Sequence, residues 1–227
     1  VRLGLEVGLD NVRATIRGLG GTEDLQPYPS LMLGAVDMSP LQVTQMYQTI
    51  AAGGFYTALR AINSVMAPDH TLLSRYGLAV EERFAPATVY LLTHALQRVV
   101  SEGTARGLLS SPLGDRAVAG KTGTSDNMRD SWFAGFTGDH LAVVWLGRDD
   151  NTPIGLSGST GALRVWEKIM AKVASTPLLP VEPDGIVWVD MARATGSTGN
   201  TRLPFLAGSQ PSGASISAMP LSKDHEQ

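Results

Sequence analysis

The segment Ala117-Val118-Ala119-Gly120-Lys121-Thr122-Gly123-Thr124 gathers a cation, two hydroxyls and two glycines in eight residues. On an extended strand alternate side chains share a face, so Thr122 and Thr124 point to the same side. Two hydroxyls at that spacing can jointly hold a carboxylate. Lys121 adds positive charge beside them, and its long stem can curl over the strand edge. Gly120 and Gly123 carry no side chain, so another backbone can approach closely. The chemistry expected here is capture of an extended, anionic peptide by strand addition at a sheet edge.

Other polar residues make weaker candidates. His70, His94, His140 and His225 are scattered, without metal-ligand spacing. The pairs Glu23-Asp24, Glu81-Glu82 and Asp149-Asp150 are expected in solvated turns and not as the paired carboxylates of a glycosidase. Trp132, Phe133 and Trp145 alternate with smaller residues, as core positions of strands do. Arg148 is expected in a turn or salt bridge, Arg106 on the surface after the Gly103 helix stop, and Asp130 in the loop 125–130, which it fixes.

The elements that must position the Lys121 segment follow from periodicity and punctuation. Residues 1–19 read as a helix, or one broken near Gly8, that ends at Gly20-Gly21. Residues 22–38 form a connection marked by Pro27 and Pro29. Ser39-Pro40 starts a helix through Leu41, Val43, Met46, Tyr47 and Ile50, stopped by Gly53-Gly54. Residues 58–67 and 71–76 are strand-like around the turn Pro68-Asp69-His70. A helix from Pro86 to about Glu102 carries the stripe Val89, Leu92, Leu96, Val99 and Val100. Three strands follow: 117–124, 131–137 and 141–147. Their short connections force antiparallel pairing. A last helix starts near Ser159-Thr160 and carries Leu163, Trp166, Ile169, Met170 and Val173. The fold class expected is α/β of the α+β type, an antiparallel sheet flanked by helices. After Ser175, Pro177, Pro180 and Pro183 mark a linker over 176–195 that ends in a short strand, Ile186 to Met191. Residues 196–227, rich in Gly, Ser, Thr and Pro, are expected to be a tail without fixed structure.

The 227 residues suffice for one domain with a sizeable core, and 43% apolar with 17% charged residues is an ordinary globular composition. A net charge of −3 supplies no basic field for nucleic acid. The absence of cysteine excludes disulfides and thiolate chemistry. No apolar run reaches membrane-spanning length. A chain that begins at Val1, inside an amphipathic helical pattern, reads as a piece of a longer one.

Lys121-Thr122-Gly123-Thr124 resembles the third motif of the serine penicillin-binding and β-lactamase superfamily. Further segments fall in the family's order. Asp130-Ser131-Trp132-Phe133-Ala134-Gly135 resembles its next strand, and Val144-Trp145-Leu146-Gly147-Arg148-Asp149-Asp150 the strand after that. Gly158-Ser159-Thr160-Gly161-Ala162 is similar to the entry of its last helix. Upstream, Met38-Ser39-Pro40-Leu41, Gln48-Thr49-Ile50-Ala51-Ala52-Gly53-Gly54 and Gly103-Thr104-Ala105-Arg106 fit the same register. The resemblance spans residues 1–175, as the C-terminal half of a transpeptidase domain, and is strongest to the bifunctional, class A penicillin-binding proteins.

That resemblance implies a DD-transpeptidase acting on the D-Ala-D-Ala end of peptidoglycan stem peptides through an acyl-serine, with β-lactams as mimics of the peptide. It assigns carboxylate binding to the Thr122 and Thr124 hydroxyls, and half of an oxyanion hole to the Thr124 backbone N–H. Gly123 lies on the substrate-binding strand, and Lys121 tunes the proton relay. It implies no cofactor, no metal and no nucleic acid. Contact with a membrane comes only through an upstream anchor, with the domain on the periplasmic face of the inner membrane. The family's Ser-x-x-Lys nucleophile is absent: no serine stands three residues before Lys121, Lys168, Lys172 or Lys223. Ser125-Asp126-Asn127 has the letters of the second motif, but it directly follows the Lys121 strand and cannot face back across a cleft. Both motifs are expected upstream, beside a glycosyltransferase domain, which leaves this chain alone inactive. The rival readings are a DD-carboxypeptidase or β-lactamase of the same superfamily, and a non-catalytic β-lactam sensor or cell-wall-binding module.

Overall fold

The amphipathic start of the chain folds as two short helices, α1 (Arg2–Val7) and α2 (Leu9–Gly18), which meet at Gly8, where φ is +91°. The computed structural model describes residues 1–21, 25–173, 175–192 and 200–211. The apolar side chains of α1 face solvent, with Leu3 73% and Leu5 60% exposed. The Pro-marked connection holds a 3₁₀ turn over Pro29–Leu33 that buries Leu31.

Helix α3 (Pro40–Ala51) begins as its sequence dictates. The Ser39 hydroxyl accepts the Gln42 N–H at 3.2 Å, and the Gln42 side chain accepts the Ser39 N–H at 2.7 Å. This reciprocal cap satisfies two donors that the first helical turn leaves unpaired.

Four short strands follow: β1 (Phe55–Tyr56), β2 (Ser64–Met66), β3 (Leu72–Arg75) and β4 (Glu81–Glu82). They pair antiparallel as β2 with β3 and β1 with β4. The strand expected over 58–67 is thus confined to 64–66. Glu81-Glu82 is a rung of a ladder, not a turn; both carboxylates are exposed, as charges on a small edge strand are.

Helix α4 (Pro86–Ser101) buries Val89, Thr93, Leu96 and Val100. Leu92, expected in its apolar stripe, is 41% exposed, because Thr93 takes the inward position between Val89 and Leu96.

The central sheet is the expected meander: β5 (Ala119–Thr124), β6 (Ser131–Phe136) and β7 (Leu141–Leu146), all antiparallel in the order β5-β6-β7. Alternation divides its side chains. On one face Val118, Phe133, Val144 and their neighbours pack with Leu163, Trp166 and Met170 of α5 (Ala162–Met170). On the other, Ala119 and Phe136 pack with Ile50 of α3 and with Val89 and Leu96 of α4. Ile169 of α5 is 46% exposed and so leaves the expected apolar stripe. Among the described residues β5 and β7 each have one strand neighbour, so the sheet has two strand edges.

Strand β8 (Ile186–Ala192) appears where alternation placed it and pairs with β9 (Asn200–Leu206). This corrects part of the structureless tail expected from residue 196. Residues 200–206 are extended because β8 supplies their partner, and Pro204 is tolerated because a two-stranded ribbon is all edge. Residues 193–199 and 212–227 lie outside the described residues.

Candidate functional site

Lys121, Thr122, Gly123 and Thr124 lie together on β5. Lys121 and Thr124 are exposed, and Thr122 and Gly123 half-buried, so this stretch of edge strand reaches solvent. Register fixes the faces. Thr122 is opposite Phe133 and Thr124 opposite Ser131, on the side covered by α5. Lys121 is opposite Ala134, on the side of α3 and α4. The cation and the hydroxyls therefore leave the strand on opposite faces.

Lys121 curls as its stem length allows: its Nζ donates to the Thr122 carbonyl at 2.9 Å, an acceptor in the plane of the sheet. Its charge thus stands at the strand edge. Trp132 and Trp145, cross-strand partners on the Lys121 face, lie with ring centroids 6.1 Å apart. Trp145 is 37% exposed, and its indole N–H donates to the Asp130 carboxylate at 2.9 Å. Phe133 is a core residue as expected; Trp132 and Trp145 are only partly covered.

The two hydroxyls do not meet each other; each has a partner of its own. Thr124 Oγ1 accepts the Gly158 N–H at 2.9 Å. Because an N–H only donates, the hydroxyl proton of Thr124 remains available to a ligand. Thr122 Oγ1 stands 2.7 Å from Thr104 Oγ1, a full O–H···O hydrogen bond. Thr104 belongs to the turn after α4, and no residue spacing links it to Thr122. The segment Gly103-Thr104-Ala105-Arg106 fits the resemblance, yet Thr104 was not a candidate site residue.

Gly158 sits in the loop that leads into α5. A Cβ there would lie 2.6 Å from the Gly123 carbonyl oxygen and 2.9 Å from the Gly123 nitrogen, so only glycine lets this loop touch the strand. The loop is anchored by Ser131, which is fully buried. Its hydroxyl donates to the Ser157 carbonyl and accepts the Ala162 N–H, both at 2.8 Å. Helix α5 lacks a cap from its own N-cap residue, and Ser131 supplies one from the neighbouring strand.

Gly120 has a different use from the one expected. The space beside it is filled by the molecule itself: a Cβ would meet the Phe133 ring at 2.7 Å and the Ala134 carbonyl at 2.8 Å. That glycine makes room for β6, not for an incoming backbone.

Ser125, which with Asp126 and Asn127 has the letters of the second motif, closes the loop after β5. Its Oγ accepts the Asp130 N–H at 2.8 Å, and its N–H donates to the Asp130 carbonyl at 3.2 Å. Asp130 fixes the loop through its backbone, as expected, and spends its carboxylate on Trp145. Arg148 donates to Thr152 Oγ1 at 3.3 Å within a turn, and Arg106 is exposed. A concavity of about 360 Å³ lies between Leu113, Arg116, Met170 and Lys172 and includes none of the β5 residues. With Lys121 and Thr124 exposed, the β5 site is an open wall.

A family model described as the penicillin binding protein transpeptidase domain matches residues 17–171. Penicillin-binding protein 1B of Vibrio cholerae is 38% identical over 196 residues, which are 86% of this chain and 25% of that protein. Penicillin-binding protein 1B of Escherichia coli is 40% identical over 188 residues, 82% of this chain and 22% of that protein. The chain therefore spans about a quarter of the length of these relatives. Among solved structures, penicillin-binding protein 1A from Haemophilus influenzae aligns with a TM-score of 0.80 at 20% identity, over 90% of this chain and 37% of that one. The PonA1 protein from Mycobacterium tuberculosis in complex with penicillin V aligns with a TM-score of 0.63 at 19% identity, over 84% of this chain and 55% of that one. At these identities the structural likeness is one of fold.

Proposed function

Because the chain belongs to the penicillin binding protein transpeptidase domain family, we propose that it forms one wall of the acyl-transfer site of a class A peptidoglycan DD-transpeptidase. One observation carries this reading. Within the matched region, Lys121-Thr122-Gly123-Thr124 occupies a solvent-reaching edge strand with a ligand-ready hydroxyl at Thr124.

In this reading a serine attacks the D-Ala-D-Ala carbonyl of a stem peptide, and the terminal D-Ala departs as the amine. The acyl group then passes to an amine of a neighbouring stem, which restores the serine. The Thr122 and Thr124 hydroxyls hold the substrate carboxylate, and Gly123 lies in the strand along which the peptide runs. The Thr124 N–H supplies half of the oxyanion hole. Lys121 sets the field at the strand edge and tunes the proton relay. β-Lactams occupy the same wall as mimics of the peptide.

The nucleophile and its base are assigned to residues outside this chain. Two facts support that: the chain has no Ser-x-x-Lys, and it spans about a quarter of its relatives. The parent protein would also carry a glycosyltransferase domain and a membrane anchor, with this domain on the periplasmic face of the inner membrane. Among the described residues no helix is long and apolar enough to cross a membrane.

Labelling with a fluorescent penicillin tests the reading. The 227-residue chain alone is expected to form no covalent adduct. In the full-length parent, Lys121→Ala is expected to slow acylation at least about a hundredfold. An adduct on the isolated chain would show that the nucleophile lies within it; near wild-type labelling of the Lys121→Ala parent would remove the role given to Lys121.

A further inference from the structure

We propose that Thr104 is a positioning residue for the carboxylate grip: it donates its hydroxyl proton to Thr122 and so turns the Thr122 proton toward the ligand. The inference rests on the reading that Thr122 and Thr124 bind a substrate carboxylate.

A hydroxyl has one proton to donate and two lone pairs to accept with, whereas an ionised carboxylate only accepts. At Thr124 the direction is already set, because the Gly158 N–H occupies a lone pair and leaves the proton for a ligand. At Thr122 two directions are possible, since either oxygen of the 2.7 Å Thr104–Thr122 pair can be the donor. If Thr122 donates to Thr104, it has no proton for the anion. If Thr104 donates to Thr122, it has one. A bound carboxylate selects the second arrangement, and the chain Thr104→Thr122→carboxylate is polarised along its length.

The geometry holds Thr104 for this task. Gly103 N–H and Ala105 N–H both donate to the Val99 carbonyl, at 3.1 and 3.2 Å, and pin the turn to the end of α4. Ala105 is fully buried beside Leu108 in the core, while Thr104 is exposed on the solvent side of the same turn. The turn is thus anchored on both sides of the hydroxyl. No side chain of the Lys121–Thr124 strand itself does this for Thr122.

The test compares two probes on full-length protein: a fluorescent penicillin, and the same compound esterified at its ring carboxylate. The quantity read is the ratio of their acylation rate constants. It cancels the folded fraction of each preparation, so a partly misfolded variant remains informative. Thr104→Val is expected to lower the carboxylate-to-ester ratio about fivefold, the size of a lost hydrogen bond between neutral groups. Thr104→Ser, which keeps the hydroxyl, is expected to stay within about twofold of wild type, and Thr104→Ala to follow Thr104→Val. Thr122→Val serves as the reference. If Thr122→Val lowers the ratio and Thr104→Val does not, Thr104 has no positioning role, although the carboxylate reading stands. If neither lowers it, the carboxylate reading itself falls and this inference with it.

Discussion

Asp139, in the tight turn between β6 and β7, takes three hydrogen bonds on one carboxylate oxygen. The donors are the Thr176 N–H at 2.9 Å, the His140 ring at 2.9 Å and the Thr137 hydroxyl at 3.2 Å. The Thr176 N–H first, then the His140 ring, hold the carboxyl down at about 2, against 3.8 for a free aspartate. A depressed acid of this kind contributes stability that is present above the unfolded value and lost as pH falls toward the folded one. The thermal midpoint of the chain should therefore drop between pH 4 and pH 2 partly on account of Asp139. Asp139→Asn should be less stable at neutral pH and show a flatter profile in that window. Parallel curves for the two proteins would remove the role given to Asp139. The short connection between the strands 131–137 and 141–147 is legible in the sequence; Thr176, which comes from beyond α5, is not. Thr104 was hidden for a related reason: its partner Thr122 is eighteen residues away and is reached only because α4 packs along β5. What sequence made legible at the site was the strand period, which put Thr122 and Thr124 on one face. What it could not give was the donor each hydroxyl would meet.

Elements with strong local signals were readable in advance. The Ser39-Pro40 start, the glycine stops and the alternation of the three-strand meander all specify themselves within a few residues. The pair β1 and β4 was not readable, because two residues carry no period and the partners lie 25 and 27 positions away. The loop into α5 belongs to this scale as well. It touches β5 through Gly158 and β6 through Ser131, so the helix start, the strand edge and the Thr124 hydroxyl move as one unit. Gly158→Ala would push a methyl into the Gly123 backbone, which cannot swing away as a side chain can. We expect a loss of about 1–3 kcal/mol in urea unfolding, the usual size of an overpacking defect. A change under about 0.5 kcal/mol, typical of a surface site, would show that the loop is not pinned to the strand.

At the scale of the molecule, the β8–β9 ribbon is joined to the rest through α4. Trp188 donates its indole N–H to Glu182 at 2.7 Å, and the same carboxylate oxygen accepts the Tyr90 hydroxyl at 3.5 Å. His94 of α4 stands edge-on to the Trp188 ring at 5.4 Å, and the Arg202 guanidinium lies 5.4 Å from it. The aromatic ring is thus the hub between ribbon and helix. Trp188→Ala should destabilise the chain by about 2 kcal/mol or more, less than a fully buried tryptophan would, since Trp188 is only half covered. Amide exchange in residues 186–192 and 200–206 should speed up more than in β5–β7. Equal acceleration across both sheets would mean that the ribbon is not a separately docked unit. The ribbon was half legible: alternation revealed β8, while Gly, Ser and Pro composition concealed β9.

The two edges of the central sheet are guarded very differently. An unpaired strand edge is a template on which another chain can add itself. At β5 the Lys121 ammonium stands at the edge, a charge that disfavours a second copy of the chain but suits an anionic peptide. At β7 the sequence Leu141-Ala142-Val143-Val144-Trp145-Leu146 has no charge, no glycine and no proline. Among the described residues β7 has no second strand partner, so crowded copies of this chain are expected to associate through it.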